Sequence, residues 1–295
     1  MYLSGRQFSV FQGLKATWVV ARSFNFLLFA TLLLRPRRLW DVSKDMFASF
    51  NAQVKGLPIP LRSLAEILPG GTGPISLFIA PDKQPAISMS ELVCLCALAN
   101  MGGAKNILEI GTFSGMTSYH LAKNTAADAK IFTMDLPEEL RAGQALREAR
   151  QKGKRYTEED LIQARPPKKK LGYVGTDVEH KVVQIRADST TFDYARHFSQ
   201  KFDLIFIDGS HNYYHVKTDS ANALKWVADK GFIVWHDYTA YPEIIWGVKR
   251  HLNELSRKYN IVRIRGTRLC VLQNTGLKRS SKPSASTDVG EADAR

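Results

Sequence analysis

The sequence predicts a doubly wound α/β fold with a mostly parallel, seven-stranded sheet and an N-terminal helical extension. Short apolar runs rich in β-branched residues alternate with helical stretches through the C-terminal two thirds of the chain. This pattern is typical of a parallel sheet that is covered on both faces. An acidic residue also stands at the carboxyl end of each predicted parallel strand, where sheets of this kind bind their ligands.

The predicted strands fall into a parallel group and a shorter pair. The parallel group comprises 107–110, 130–134, 182–186, 202–207 and 231–235, and the pair comprises 260–265 and 267–273. A helix is predicted over 88–100, with Ser88 or Ser90 as its N-cap and Glu91 in its first turn. A single Asp after a strand usually caps a helix, but five acids in succession are hard to explain as caps alone.

The segment ILEIGTFSG, residues 107–115, combines a strand, an acid and a turn bracketed by two glycines. Gly111 and Gly115 have no Cβ, so the backbone N–H groups of the turn can approach a ligand closely. The helix predicted over 114–123 directs its positive end at an anion bound there. Glu109 disfavours a phosphate, because a carboxylate would repel it. A ligand with both an amino group and a carboxylate fits better, and S-adenosylmethionine carries both.

Five segments together resemble one enzyme class. They are LEIGTFSG, TMDLP (133–137), RADST (186–190), FDLIFIDGSHNYYHVKTD (202–219) and KGFIVWHDY (230–238). The region from about 88 to 273 resembles a class I S-adenosylmethionine-dependent methyltransferase with a Rossmann-like sheet. Within that class it is similar to the small-molecule O-methyltransferases of the macrocin and catechol types. In those enzymes an antiparallel strand pair closes the sheet.

The resemblance implies a cofactor role for residues at successive strand ends. Glu109 would face the methionine amino group, the glycine turn would hold the carboxylate, and Asp135 would bind both ribose hydroxyls. The adenine edge would lie beside Asp188 and Ser189. The full cofactor set is Glu109, Gly111, Thr112, Ser114, Gly115, Asp135, Leu136, Asp188, Ser189 and Asp208. Two alternatives stay open: Asp135 could simply open a turn, and Ser189 could cap the next helix.

Asp208 and His211 are the candidate catalytic residues. Methyl transfer to a hydroxyl requires that the nucleophile be aligned and deprotonated. In the catechol-type enzymes an acid at the position of Asp208 binds a metal, and a base lies three residues later, where His211 stands. Histidine suits this role because its unperturbed pKa, about 6.5, lies near working pH. Alternatively, His211 is a first-turn helix residue that bonds to Asp208.

A metal site is a further expectation from the resemblance. Its ligands would be Asp208, Asp237 and His236, and the ion would be Mg²⁺ or, because His236 is a softer ligand, Mn²⁺. A metal-free site in which Asp237 orients the substrate is the alternative.

Composition is consistent with a cytoplasmic enzyme. A hydrophobic content of 44% in 295 residues is enough for one large α/β domain with appendages. The three cysteines, Cys94, Cys96 and Cys270, lie in apolar runs without metal-type spacing, so they are expected to be reduced core residues.

The predicted organisation has four parts. Residues 1–55 form a hydrophobic and basic helical extension, and 56–87 form a linker or lid. The methyltransferase domain spans 88–274 with an insert at 138–180, and 275–295 form a disordered tail.

The N-terminal stretch 16–34 carries one charge, Arg22, and an Arg-rich segment follows it. It is marginal as a membrane span and better suited to lie in the interface on the cytoplasmic face of a membrane. Packing on the domain or against the partner of a homodimer is the other interpretation.

The preferred function is O-methylation of a small hydroxylated acceptor, either glycosidic or lipid-linked. A net charge of +13 raises a nucleic-acid methyltransferase as an alternative. However, IDGSH stands where many base-methylating relatives carry an Asn-Pro-Pro-Tyr-type signature, and no aromatic-basic interleaving accompanies the charge. A non-catalytic, membrane-associated binding protein on the same fold is the third hypothesis.

Overall fold

The computed structural model describes residues 57–71, 73–78, 87–137, 170–239 and 246–276. These residues all belong to one compact unit of the chain. The predicted extension 1–55, most of the insert and nearly all of the tail lie outside the described residues, as does the apolar stretch 16–34. Within the described part of the chain, none of the helices has the length and apolar character to cross a bilayer.

In the described part of the chain, eight strands form one mixed, mostly parallel sheet in the order β1-β7-β8-β6-β5-β2-β3-β4. Its central strand β2 lies between β3 and β5, so the strand order reverses there, and this is the topological switch point at which such sheets bind ligands. Only the pairs β6–β8 and β7–β8 are antiparallel. The strands are β1 Leu61–Arg62, β2 Asn106–Ile110, β3 Lys130–Asp135, β4 Val182–Arg186, β5 Phe202–Ile207, β6 Val227–Trp235, β7 Val262–Ile264 and β8 Cys270–Gln273.

The doubly wound, mostly parallel prediction is confirmed, but the sheet has eight strands where seven were expected. The additional strand is β1, which lies in the predicted linker 56–87, and a short helix at Leu64–Ile67 follows it. β1 pairs in parallel with β7, and Arg265 N–H donates to Arg62 O at 2.8 Å. A two-residue strand leaves no periodic signal in the sequence, and its partner lies about two hundred residues away, so only the tertiary fold defines it.

Helices flank the sheet on both sides. α2 begins with the predicted capping box: the Ser88 hydroxyl accepts from Glu91 N–H, and the Glu91 carboxylate accepts from Ser88 N–H. The helices are α1 Leu64–Ile67, α2 Met89–Met101, α3 Met116–Lys123, α4 Tyr194–His197, α5 Tyr213–Trp226 and α6 Trp246–Leu255, with a 3₁₀ turn at Glu179–Lys181.

The sheet separates two hydrophobic clusters. Because side chains alternate along β2, Ile107 packs into one cluster with α2 and α3, and Leu108 and Ile110 pack into the other with α6. Burial of an aliphatic side chain of this size contributes about 1.5–3 kcal/mol. All three cysteines are buried and unpaired, as predicted. The core therefore fixes the strand ends at which the candidate site lies.

Candidate active site

The predicted site residues converge at the carboxyl edge of the sheet because β2, β5 and β6 are in register. Ile110 lies opposite Ile207, and Ile207 lies opposite Trp235. The ladder continues beyond the strands, since Asp208 N–H donates to Ile110 O at 2.8 Å and His236 N–H donates to Ile207 O at 3.1 Å.

Gly111 allows this close approach between the ends of β2 and β5. Its φ is +103°, and a Cβ at this position would lie 2.1 Å from the carbonyl oxygen of Asp208. A side chain at this position would therefore push the glycine turn, residues 111–115, away from Asp208 at the end of β5.

Glu109 is a buried carboxylate without a cationic partner among the described residues. It is 1% exposed and accepts hydrogen bonds from the hydroxyls of Ser118 and Thr133. Burial raises the pKa of Glu109 to about 8; the two hydroxyls oppose this shift, and the charges of Asp208 and Asp135 add to it. Such a carboxyl group is suited to meet a positive charge brought by a ligand.

In the turn after β2, the side chain of Thr112 is bonded within the protein. The Thr112 hydroxyl points to the sheet, 2.8 Å from Thr133 Oγ1, and accepts from Gln184 Nε2 at 3.0 Å. Ser114 O accepts from Gly172 N–H at 2.8 Å. Gly115, the N-cap of α3, has φ +72°. The side chain of Thr112 is thus engaged within the protein, and the turn is left to contact a ligand through its main chain.

Asp135 ends β3 at the neighbouring position of the same edge. Its Oδ1 accepts from Leu136 N–H at 2.8 Å, and Arg186 NH1 lies 3.6 Å from its Oδ2. The acid thus bonds to the backbone of the next residue and has an ionic neighbour on β4.

Asp188 and Ser189 follow β4 and form a polar loop. Asp188 Oδ1 accepts from the N–H and the hydroxyl of Thr190 at 3.0 and 2.6 Å. The next helix, α4, is capped by Asp193, so the alternative that Ser189 caps it is wrong. Ser189 instead hydrogen-bonds to Asp219.

Asp219 lies on α5 and is 1% exposed. Burial raises its pKa to about 7, the hydrogen bond with Ser189 opposes the shift, and the charge of Asp188 adds to it. The sequence gives no signal for this contact, since α5 and the loop after β4 meet only in the fold.

A network of ion pairs centred on His236 lies beside the glycine turn. His236 Nδ1 lies 2.8 Å from Asp208 Oδ1 and 3.4 Å from Asp237 Oδ1. On its other side, Nε2 lies 3.3 Å from Glu91 Oε2; this contact is ionic, because no acceptor in the described part of the chain is aligned for a hydrogen bond to Nε2. Burial opposes a charge on His236, but Asp208, Asp237 and Glu91 outweigh it and raise its pKa to about 12.

Asp237 joins the network to the candidate base. His211 Nε2 lies 2.7 Å from Asp237 Oδ2, and Arg268 NH1 donates to Asp237 Oδ1 at 2.7 Å. Asp237 itself has φ +61°, a conformation that L residues rarely adopt and that is often retained at functional sites. Burial raises the pKa of Asp237, but His211 and His236 hold it well below its usual range.

His211 does not bond to Asp208 as a first-turn helix residue. α5 begins at Tyr213 with Asn212 as its N-cap, so His211 precedes the helix, and the alternative is wrong. A narrow cleft of about 10 Å³, with room for about one water molecule, lies next to His211; it is lined by residues from the ends of β5 and β6 and from α5 and α6, including Asp208, Ser210, His236, Asp237 and Val248.

The sequence interpretation missed two members of the network, Glu91 and Arg268. Glu91 was predicted only as a first-turn residue of α2, yet it is 1% exposed and accepts from Arg268 N–H at 2.8 Å. Burial opposes ionisation of Glu91, but His236 and the Arg268 N–H group lower its pKa well below the usual range. The only local signal was an acid in an otherwise apolar helix, MSELVCLCALA.

The donor set does not fit a metal ion in this arrangement. One ligand atom each from Asp208, His236 and Asp237 lie within 4.8 Å of one another, as a metal site requires. However, both oxygens of Asp237 are engaged by His211 and Arg268, and Asp208 Oδ1 is engaged by His236. A divalent ion would have to displace these partners and lie beside a guanidinium that remains charged.

A doubly wound sheet with acids gathered at its switch point is typical of proteins that bind a nucleotide cofactor there. Residues 108–238 match the family model of a methyltransferase domain. The resemblance to a methyltransferase drawn from the five segments is confirmed over these residues.

Several solved structures are similar to this chain. The O-methyltransferase TomG from Streptomyces achromogenes, solved with S-adenosylmethionine, is 19% identical; the similarity covers 78% of this chain and 98% of TomG, with a TM-score of 0.43. An O-methyltransferase from Bacillus cereus, solved with S-adenosylhomocysteine, is 17% identical over 77% of this chain and 97% of its own, with a TM-score of 0.42. A search of curated proteins finds no significant match. Likeness at this level assigns neither an acceptor nor a catalytic residue.

Proposed function

We propose that this protein transfers a methyl group from S-adenosylmethionine to a hydroxyl of a small acceptor, with His211 as the general base. The observation that carries the proposal is the contact between His211 Nε2 and Asp237 Oδ2 at 2.7 Å, at the carboxyl edge that also bears the cofactor turn. A carboxylate in this position orients the imidazole and stabilises the imidazolium that forms.

The cofactor role of Glu109 is supported by its burial without a counter-charge. The ammonium group of the methionine moiety would supply that charge, and the N–H groups of residues 112–114 would bind the carboxylate at the start of α3, since those of Gly111 and Gly115 donate within the protein. Asp135 would accept hydrogen bonds from the ribose hydroxyls. Asp188 and Ser189 would line the adenine edge, with Asp219 holding the Ser189 side chain.

The reaction is an in-line displacement at the sulfonium methyl carbon. The acceptor oxygen forms the new C–O bond, the C–S bond breaks, and its electron pair stays on sulfur, which becomes the neutral thioether of S-adenosylhomocysteine. His211 would receive the hydroxyl proton, and the carboxylate of Asp237 beside its Nε2 would stabilise the imidazolium that forms. Asp208, held by His236, would face the acceptor at the cleft.

Replacement of the base tests this assignment. In His211→Ala, kcat is expected to fall by about 10²–10⁴, the usual contribution of a general base, while the affinity for S-adenosylmethionine stays within about twofold of the wild type. The measurements are calorimetric titration with the cofactor and a methylation assay over phenolic, glycosidic and lipid-linked hydroxyl compounds.

His180→Ala is the matched control, because His180 is exposed and its carbonyl oxygen, rather than its ring, accepts from Lys130 Nζ. Loss of cofactor binding in His211→Ala would show that His211 is structural. Absence of cofactor binding by the wild type would remove the proposal altogether.

A further inference from the structure

Three buried or nearly buried carboxylates, those of Glu91, Asp208 and Asp237, meet within one ion network. Their side chains are 2%, 15% and 10% exposed. Like charges at such separations in a site poor in water repel each other strongly, so they need cations between them. A bound divalent ion is one way to supply that charge. This chain contains another, since His236 and Arg268 lie between the same acids.

Arg268 is held to the acids at both its side chain and its backbone. NH1 lies 2.7 Å from Asp237 Oδ1, Nε lies 3.5 Å from Glu91 Oε1, and the main-chain N–H donates to the same Glu91 oxygen at 2.8 Å. Its carbonyl oxygen accepts from Tyr238 N–H at 2.9 Å, which ties the β7–β8 turn to the residue after Asp237. Four contacts thus place the guanidinium at the end of β6.

We infer that Arg268 takes the place of a divalent cation in this site, so that the resting protein carries its counter-charge as a guanidinium and binds no metal there. The inference deepens the proposed function: its catalytic part rests on that function, but its central statement concerns the ion content of the site and requires no turnover.

The assignment has a chemical consequence for the reaction. A guanidinium only donates hydrogen bonds, so it cannot coordinate the oxygen of a hydroxyl and lower the pKa of that hydroxyl as a metal ion does. Deprotonation of the acceptor then depends on His211, whose partner Asp237 is fixed by Arg268 through its other oxygen. Arg268 is therefore a positioning residue that acts through Asp237.

Titration of the full chain with Mn²⁺ alone tests the inference, read by calorimetry and by the electron paramagnetic resonance of the free ion. The wild type is expected to show no saturable binding up to about 1 mM, the weak limit for carboxylate sites. Arg268→Ala is expected to gain one site, because it frees Asp237 Oδ1 and removes the charge beside it. Arg268→Lys keeps the charge and is expected to stay without metal.

Arg250→Ala is the matched control, since Arg250 is exposed and pairs with Glu254 on the surface of α6; it is expected to behave as the wild type. Stoichiometric Mn²⁺ binding by the wild type that Asp237→Asn abolishes would overturn the inference. So would a folded Arg268→Ala protein that gains no site, with folding checked by circular dichroism. Failure to bind S-adenosylmethionine would refute the proposed function and leave this result standing, so the two can be told apart.

Discussion

The proposed contact of Glu109 with the cofactor would link cofactor binding to proton release. Its pKa is raised to about 8 by burial, so the carboxyl is largely protonated at neutral pH in the free protein. An ammonium group placed beside it favours the ionised form and lowers that pKa. We therefore expect about one proton to leave Glu109 for each S-adenosylmethionine bound near pH 7, and affinity to rise with pH towards 8.

Calorimetric titrations in two buffers of different ionisation enthalpy measure this proton. The Glu109→Gln variant should bind more weakly and release none. Equal heats in both buffers for the wild type would contradict the role given to Glu109.

In the free protein, the contribution of Glu109 to stability changes with pH in the opposite direction to that of an ordinary salt-bridged acid. Because the folded pKa exceeds the value of 4.5 of the unfolded chain, stability is lost as pH rises between the two values.

The site residues at the strand ends could be predicted from motifs, but their hydrogen-bond and ion-pair partners could not. Asp208, His211 and Asp237 follow apolar runs that could be recognised as strands, so their placement at one edge was predictable. Glu91 and Arg268 belong to elements distant in sequence, and their roles depend on how α2 and the β7–β8 turn pack against the end of β6.

At the scale of elements, Gly247 in the first turn of α6 packs against the backbone of residues 211–213. A Cβ on Gly247 would lie 2.2 Å from the carbonyl oxygen of His211 and from the N–H nitrogen of Tyr213. Both atoms belong to the backbone, so they cannot rotate away as a side chain would. The start of α6 and the residues before α5 are therefore packed without spare space.

Gly247→Ala is expected to destabilise the fold by about 1–3 kcal/mol, the usual cost of overpacking, and to lower kcat by displacing His211. Thermal unfolding and the methylation assay measure the two effects. Gly73→Ala is the control, because a Cβ at Gly73 makes only an ordinary contact, 3.7 Å from Asn100 Oδ1. Wild-type stability in Gly247→Ala would mean that α6 tolerates more separation than its packing indicates.

The elements themselves were largely predictable, and the exceptions share a cause. The bounds of the strands with continuous apolar runs were predicted to within a residue or two, because a strand that is buried on both faces is apolar along its length. β6 begins four residues earlier than expected, at Val227, where it pairs with Phe202. That extension and β1 are short pairings defined by neighbours rather than by local pattern.

At the scale of the whole molecule, the prediction that 16–34 binds a membrane surface remains open, since that stretch lies outside the described residues. The full chain is expected to float with vesicles that contain anionic lipid, and a chain without residues 1–40 is expected to stay with the soluble fraction. Retained S-adenosylmethionine binding shows that the shortened chain still folds. Flotation of both forms would place the membrane contact elsewhere, and flotation of neither would favour a packing helix.

The sequence alone determined the class of fold, the order of the parallel strands along the chain and the edge at which the acids gather. Each of these follows from local composition: apolar runs form buried strands, and glycines allow the turn beside them. Only the tertiary structure decided how the acids are neutralised. Arg268 lies sixty residues from Asp208 and 177 from Glu91 along the chain, and a charge pair between distant elements leaves no periodic trace in either one.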